Sequence, residues 1–431
     1  MPLPDESPGA TSLPRRSELL SRLERANRLA APWTALQIVV TAALAYLVDW
    51  SAAAASPLIS IVAVTVVVGP ELMGVLRFAA ARRKEIGDLK EQTRFGEFDK
   101  HKLRRLVDET LVRLQLPLPG PPVFVTADKS MNAGALHLGF GGFFRGLNGV
   151  YLNRQVLHRL TPAEVQDIVG HELGHFYRYY LVVDRLRIVT LLMAATAGLF
   201  TAQWLGLSNW IGFVALAGCS SAAWYFTGYL HARNGEAIEY LCDDLGAQVN
   251  GVVTSINGLL KVGADAELQL AVHQQELRSR RYGNLNARDI VEAIEAATPY
   301  GHTTREELQQ AVEASLKRRS QDRRRLTLGG FLEFAWQGDG DEGLDEALQK
   351  ARAVQKLPRL DWESLLDEPG RIALNEQQVA QLVEWLEDDP KLLLFQLPSE
   401  VGDAEDVHPP LRSRILYLWK NRREIAGAAT S

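Results

Sequence analysis

The sequence has few cysteines and no excess of positive charge. Its 431 residues contain only two cysteines, Cys219 and Cys242. A disulfide framework or a multi-cysteine zinc module needs more, so both are excluded and we expect two plain thiols. The formal net charge of −5 provides no basic field of the kind that gathers a phosphate backbone. We therefore expect no nucleic acid among the partners.

Long apolar runs, in contrast, are present in the N-terminal half. Four segments stand out, at residues 33–48, 57–80, 188–204 and 210–230. A helix that crosses a bilayer needs about 20 mostly apolar residues, and each segment reaches or nearly reaches that length. The pattern predicts two membrane hairpins with about four spans, and the alternative is a set of buried helices in a large soluble core. Because the first run starts beyond residue 30 and a second follows at once, we expect no cleaved signal peptide.

The charges that flank these segments predict their orientation. Lys and Arg accumulate on the cytoplasmic side of membrane helices, whereas the loops 49–56 and 205–209 contain neither residue type. The basic flanks are Arg15, Arg16, Arg22, Arg25, Arg28, Arg77, Arg82, Arg83, Lys84, Arg185, Arg187 and Arg233. They predict a multi-pass protein of the bacterial inner (cytoplasmic) membrane in which both ends of each hairpin, and the domain that they carry, face the cytosol. Glu71, beside Pro70, is either a functional acid at membrane depth or a side chain that reaches the interface.

Residues 161–175 contain a helix with a metal-binding pattern. Thr161 is a typical N-cap, Pro162 suits the first helical position, and Glu164 completes a capping box. His171 and His175 are four residues apart, so they lie on one helix face and can bind one zinc ion. Glu172 would lie beside the open position of the metal, where it can act as a general base. The alternative is a surface helix with two ordinary histidines.

A catalytic zinc ion needs a third protein ligand, and residues 236–247 offer one. On this predicted helix Glu239 and Asp243 are four apart and share a face. Glu239 would complete the zinc shell, and Asp243 would orient a ligand histidine, with His171 as the expected partner. Because a hairpin of two crossings separates His175 from Glu239, the chain returns to the same side of the membrane. The sequence therefore predicts one Zn²⁺ per chain, close to the bilayer.

Taken together, residues 171–175, the intervening hairpin and residues 239–243 resemble the HtpX-like membrane zinc metallopeptidases, relatives of the CAAX prenyl protease. Asn132-Ala133-Gly134-Ala135 is similar to the Asn-Ala-Phe substrate-strand motif of that family, with glycine in place of the aromatic residue. The segment that begins at His408 is similar to its C-terminal His-Pro-Pro motif. The resemblance implies zinc ligands His171, His175 and Glu239, Glu172 as base, and an edge strand near Asn132 and Ala133 that pairs with extended substrate. His408 either stabilises the oxyanion or caps a helix.

The expected fold is α+β and mainly helical, with about four transmembrane helices and a cytosolic zincin-type catalytic domain that contains a small sheet. Residues 84–116 are predicted to be helical, and 123–125 and 149–152 to be strands. The predicted divisions are a disordered, basic tail (1–30), a membrane hairpin (31–83), the peptidase core (84–262), a mostly helical insertion with regulation as its expected role (263–400) and a C-terminal segment (401–431).

These features predict hydrolysis of peptide bonds in membrane or misfolded proteins by a zinc-dependent endopeptidase. Its partners would be the lipid bilayer and polypeptide substrates that are membrane-embedded or membrane-proximal. The alternatives are a non-catalytic membrane scaffold that retains zinc and a protease kept latent by residues 263–400. The basic run at 317–325 is expected to be a solvated helix face or a contact with anionic lipid.

Overall fold

The computed structural model describes residues 13–55, 82–127, 131–137, 146–182, 187–204, 210–265, 358, 360–368, 371–395 and 409–430. The chain divides into two compact units. The first comprises Met1–Ser255, Val407–Pro409 and Lys420–Ser431, and the second comprises Ile256–Asp406 and Pro410–Trp419. Several predicted features lie outside the described residues. They are the second apolar segment, which contains Glu71, the side chain of Cys219, residues 266–357, and His408. The domain divisions predicted from the sequence stay predictions.

The described elements are mainly helical, as predicted. The helices of the first unit, together with α8 that continues into the second, are α1 (Arg16–Leu47), α2 (Trp50–Ala55), α3 (Lys100–Arg113), α4 (Arg154–Arg159), α5 (Pro162–Leu173), α6 (Arg187–Trp204), α7 (Trp210–Asn250), α8 (252–265) and α12 (Arg422–Thr430). Those of the second unit are α9 (Trp362–Leu365), α10 (Glu376–Asp388) and α11 (Leu411–Lys420), the last of which ends at the border of the first unit. The strands are β1 (Arg83–Glu85), β2 (Val123–Thr126), β3 (Ala133–Leu136) and β4 (Gly149–Asn153).

Helix α1 begins earlier than the sequence suggested. The backbone N–H of Arg15 donates to a Glu18 carboxylate oxygen at 3.2 Å, which caps the first turn. Leu19 and Leu23, four residues apart, are buried on one face of the helix. Residues 16–30 are therefore a packed helix, and the prediction of a disordered tail was wrong for this stretch.

One helix among the described residues, α1, is long and apolar enough to cross a membrane by length and composition. Its most apolar window has a mean hydropathy of 1.5 and is 11% buried. Within α6, residues Val189–Trp204 are apolar but shorter. The predicted spans at 188–204 and 210–230 are helical, as parts of α6 and α7. The count of four spans stays a prediction.

A small mixed sheet lies beside α5, as predicted. Its strand order is β1-β2-β4-β3, with β2 and β4 parallel and the two outer pairs antiparallel. Both strands expected from the sequence are confirmed as β2 and β4. The register places Gly134 of β3 opposite Tyr151 of β4, so β3 is an edge of the sheet in the described structure. Strand β3 packs against α5 and against the turn that follows it.

The helix predicted at 84–116 is shorter than expected. Residues 83–85 form β1, which pairs with β2 and covers its side, and residues 86–88 form a short 3₁₀ turn. The helix begins only at Lys100, because the Asp99 side chain accepts the Lys102 N–H at 2.8 Å as an N-cap. The apolar residues that suggested an α-helix before that point are buried, Ile86 in the 3₁₀ turn and Leu89 directly after it.

The second unit is held together by polar contacts to backbone as well as by its apolar core. Asn257 pairs with the main chain of Leu374 through two hydrogen bonds of 2.8 Å. The guanidinium of Arg412 donates to the carbonyls of Leu386, Asp389, Pro390 and Leu392, three of them at 2.9–3.2 Å. These carbonyls end α10 and form the turn after it, where no intrahelical donors remain. Arg412, near the predicted His-Pro-Pro motif, therefore closes the C-terminus of α10.

Replacing Arg412 with alanine should loosen this turn. Loss of the hydrogen bonds from a charged donor to these carbonyls should lower the local stability by about 2 kcal/mol. We therefore expect faster amide hydrogen exchange across residues 376–395, measured by mass spectrometry. Arg371→Ala is the matched control, because Arg371 forms only an exposed ion pair with Glu368. Equal protection in the Arg412→Ala and Arg371→Ala proteins would contradict the capping role.

Candidate metal centre

The helix that carries both histidines starts as the sequence predicts. Thr161 N–H donates to Glu164 at 2.8 Å, and Glu164 N–H donates to the Thr161 hydroxyl at 3.4 Å. This capping box and Pro162 fix the first turn of α5. The end of the helix differs from the prediction, because α5 stops at Leu173 and continues as a single π turn, Gly174–Arg178. Such turns are frequent at functional sites, and this one contains His175.

Side chains from α5, its π turn and α7 bring their donor atoms together. The Nε2 atoms of His171 and His175 are 3.2 Å apart, and Glu239 on α7 places its carboxylate oxygens 3.5 Å from His171 Nε2 and 3.4 Å from His175 Nε2. A tetrahedral zinc ion with bonds of about 2.0–2.1 Å has ligand atoms roughly 3.3–3.4 Å apart. The separation of the two imidazole nitrogens is close to such an edge, and each imidazole has a different Glu239 oxygen at a similar distance. These residues could hold a metal ion.

Asp243, one turn beyond Glu239 on α7, contacts the other side of His171. Its Oδ1 atom lies 2.9 Å from His171 Nδ1. A proton on Nδ1 donates to this carboxylate, and Nε2 is then left with its lone pair directed at the cluster. The predicted contact between Asp243 and His171 is therefore present, and it selects the nitrogen that faces Glu239.

The two carboxylates also change the protonation of His171. Burial opposes a charged imidazole, but hydrogen bonds and charges from Asp243 and Glu239 outweigh it and raise the pKa of His171 to about 10. Without a metal ion, protonated His171 stabilises the folded state fully below pH 6.5, and this contribution is lost as the pH rises through about 10. A metal ion needs the unprotonated nitrogen, so binding should release this proton.

Small residues allow α5 and α7 to approach closely enough for the cluster to form. A Cβ at Gly170 would lie 3.0 Å from the Gly246 Cα, and a Cβ at Gly174 would lie 2.9 Å from the Cys242 Sγ. Gly170 and Gly174 are four apart and flank His171, so they line the crossing on one face of α5. Cys242 is buried, and its side chain fills the space beside Gly174.

The other predicted site residues lie near the cluster or outside the described residues. Glu172 is buried on α5, directly after His171. Asn132 and Ala133 lie at the start of β3, and the Asn132 side chain accepts the Ala133 N–H at 2.8 Å. His137, at the far end of β3, places its ring 4.7 Å from that of Phe176, the neighbour of His175. His408 lies outside the described residues.

Sequence reasoning missed the glycines of the crossing, His137 and Phe176. The glycines had a detectable signal, because Gly170, Gly174 and Gly246 are small residues in helices that must approach each other. The contact between His137 and Phe176 had none, since the two residues are 39 positions apart and neither belongs to a motif.

Gly174→Ala should push the π turn away from α7. The added methyl group would meet both the side chain and the backbone of Cys242, so we expect a loss of about 1–3 kcal/mol in stability and weaker metal binding. Thermal unfolding and metal content of the purified protein measure the two effects. Gly427→Ala on α12 is the control, because a Cβ there meets no atom within 4 Å. Similar behaviour of both variants would contradict the tight crossing.

Comparison with known proteins agrees with this geometry. Residues 97–255 match the model of Peptidase family M48, and the matched stretch includes both ligand-bearing helices and strands β2, β3 and β4. No curated protein and no solved structure matches the chain. The finer resemblance to HtpX-like enzymes or to the CAAX prenyl protease stays a prediction. Residues 97–255 are thus similar to Peptidase family M48, a family of metallopeptidases.

Proposed function

We propose that the protein is a membrane-anchored, zinc-dependent endopeptidase. The observation that carries the proposal is the convergence of donor atoms from His171, His175 and Glu239, all within 4.8 Å of one another, inside the matched peptidase domain. Two imidazoles and one carboxylate form a donor set typical of catalytic zinc, which retains one position for water. Zinc is preferred over calcium or magnesium because nitrogen donors dominate the set.

Each residue of the cluster has a role in the proposed reaction. A zinc ion held by the three ligands would polarise a water molecule and lower its pKa towards 7. Glu172 accepts the proton of the attacking water and passes it to the departing amine nitrogen. Asp243 holds His171 in the tautomer whose Nε2 faces the ligand cluster. No covalent bond between enzyme and substrate is needed, because water attacks the peptide carbonyl directly.

Strand β3 is suited to hold an extended substrate. Asn132 O accepts the Asn153 N–H at 3.1 Å, so the main-chain groups of Asn132 are directed at β4. Alternation along an antiparallel strand then directs those of Ala133 and Ala135 towards the outer edge. A substrate strand can pair there by main-chain hydrogen bonds, beside the helix that carries the histidines. The Asn132 side chain already accepts the Ala133 N–H, so an incoming carbonyl would share or displace it.

Exposed apolar surface supports the membrane assignment. Large hydrophobic side chains are exposed along α1, α6 and α7, where a soluble protein would bury them. They include Leu29, Trp33, Leu36, Ile38, Val39, Tyr46, Leu47, Leu192, Trp204, Val214 and Tyr225. We infer that lipid covers this surface, and that the substrates are membrane-embedded or membrane-proximal polypeptides.

The direction of α1 and α6 supports the proposed topology. Thr190 donates to the Gln37 side chain at 3.1 Å, and Gln203 exchanges two hydrogen bonds of 2.8–2.9 Å with the backbone of Asp49. The second contact lies 12 residues after the first along the α1 segment (37 to 49) and 13 residues after it along α6 (190 to 203). Because both numbers increase in the same direction, the helices run parallel. Parallel first and third spans both enter from one side. We propose that this side is the cytosol of a bacterium and that four spans form two hairpins.

The rival proposal is a membrane scaffold that keeps the metal for structural reasons. Glu172 distinguishes the two, since a structural site has no use for a buried general base beside its ligands. A latent protease occluded by residues 263–400 is a further alternative, and it differs from the main proposal in regulation rather than in chemistry.

Glu172→Gln should abolish cleavage while the protein still binds zinc. The amide keeps the shape of the side chain but cannot accept the proton, so we expect a loss of at least a hundredfold in rate. The measurement is fragment yield from a denatured membrane protein, with purified enzyme in detergent and zinc. Glu236→Gln, an exposed glutamate of α7, is the control. Equal fragment yields from wild type and Glu172→Gln would reject the catalytic assignment.

A further inference from the structure

The N-terminal turns of α1 are fastened to the elements that carry the metal cluster. Arg16 forms an ion pair with Asp244 of α7, and Arg22 donates to the carbonyl of Arg233 on the same helix. Asn27 donates to Tyr180 O at 2.8 Å and accepts the Val182 N–H at 2.9 Å, just beyond the π turn. The helix that provides the proposed membrane anchor is thus also part of the catalytic core.

Asp244 is an unusual charge because its side chain is fully buried. Burial raises the pKa of Asp244, whereas the nearby Arg16 guanidinium opposes this effect. Both carboxylate oxygens have donors, Oδ2 from Arg16 Nε and Oδ1 from Gln248 Nε2 at 2.7 Å. A buried carboxylate without its cation is an uncompensated charge, which strongly destabilises the fold. The ion pair with Arg16 therefore holds the Asp244 side chain in its buried position.

The buried pair lies directly beside the residue that orients His171. Asp243 precedes Asp244 on α7, and its carboxylate is the one that lies 2.9 Å from His171 Nδ1. Adjacent residues of a helix share a peptide unit, so a rotation or shift of Asp244 towards water would move Asp243 with it. The Arg16 contact therefore acts on the one hydrogen bond that selects the metal-facing nitrogen of His171.

Arg16 is itself held from a second direction. Its backbone N–H donates to Asn421 Oδ1 at 3.2 Å, and the Asn421 amide donates to Pro14 O at 3.5 Å. Asn421 is buried at the turn before α12, which packs against α7. The start of α1 therefore has a fixed position, which a positioning contact requires.

We propose that Arg16 is a positioning residue for the metal centre, acting through its ion pair with Asp244 on the contact between Asp243 and His171. This inference rests on the proposed role of His171 as a zinc ligand. It assigns the N-terminal helix a second task besides anchoring, since the affinity for metal depends on the docking of α1.

The test is the zinc affinity of the full chain in detergent, measured by competition with a chromophoric chelator below the thermal midpoint of each variant. Mutation of a residue that contacts a metal ligand typically lowers metal affinity 10–100-fold. Because Arg16 is one contact farther from the ligand, we expect Arg16→Gln to bind zinc about threefold to tenfold more weakly. Asp244→Asn should show a similar loss, and the double variant should be no weaker than either single one. Cobalt-loaded Arg16→Gln should show a shifted visible absorption spectrum.

Arg28→Gln is the matched control, because Arg28 lies on α1 in an exposed pair with Glu24. It should bind zinc as wild type does. A lower thermal midpoint for Arg16→Gln with wild-type zinc affinity and cobalt spectrum would overturn the inference and leave Arg16 a merely structural residue. If Arg16→Gln does not fold, Arg16→Lys, which keeps the charge without the planar guanidinium, is measured by the same criteria. Absence of zinc binding in the wild type would instead reject the proposed function.

Discussion

The close crossing of α5 and α7 is the constraint on which the rest of the structure depends. His171 and His175 come from the first element and its π turn, and Glu239 comes from the second. Their donor atoms come within 4.8 Å of one another at a crossing where Gly170 and Gly174 allow α7 to approach. A metal centre built this way needs no ligand from a loop, so its precision is that of two packed helices.

Helix α7 joins the proposed membrane region to the chemistry. It runs unbroken from Trp210 to Asn250, so the segment expected in lipid and the residues Glu239, Asp243 and Asp244 lie on one element. The start of α1 holds this helix at Asp244, and farther along α1 runs parallel to α6. In the arrangement that we propose, the anchor would support the site mechanically as well as keep it near the bilayer, which suits the proposed membrane-proximal substrates.

Local signals in the sequence predicted much of this site. The capping box, the histidine spacing and the four-residue step from Glu239 to Asp243 each depend on helix geometry alone, and all three are present. Contacts that depend on tertiary packing were not predictable. Strand β1 forms through its tertiary pairing with β2. The π turn interrupts a stretch whose sequence pattern predicts a continuous helix. The pairing of Arg16 with Asp244 spans 228 positions and belongs to no motif.

The most direct test of the account is the zinc stoichiometry of Glu239→Ala beside Glu236→Ala. Both remove a carboxylate from the same stretch of α7, but only Glu239 lies within coordination reach of the histidines, whereas Glu236 is exposed. Elemental analysis of the purified proteins should find about one zinc per chain in wild type and in Glu236→Ala, and a clear deficit in Glu239→Ala. An unchanged zinc content in Glu239→Ala would mean that the third ligand lies elsewhere and would contradict the account.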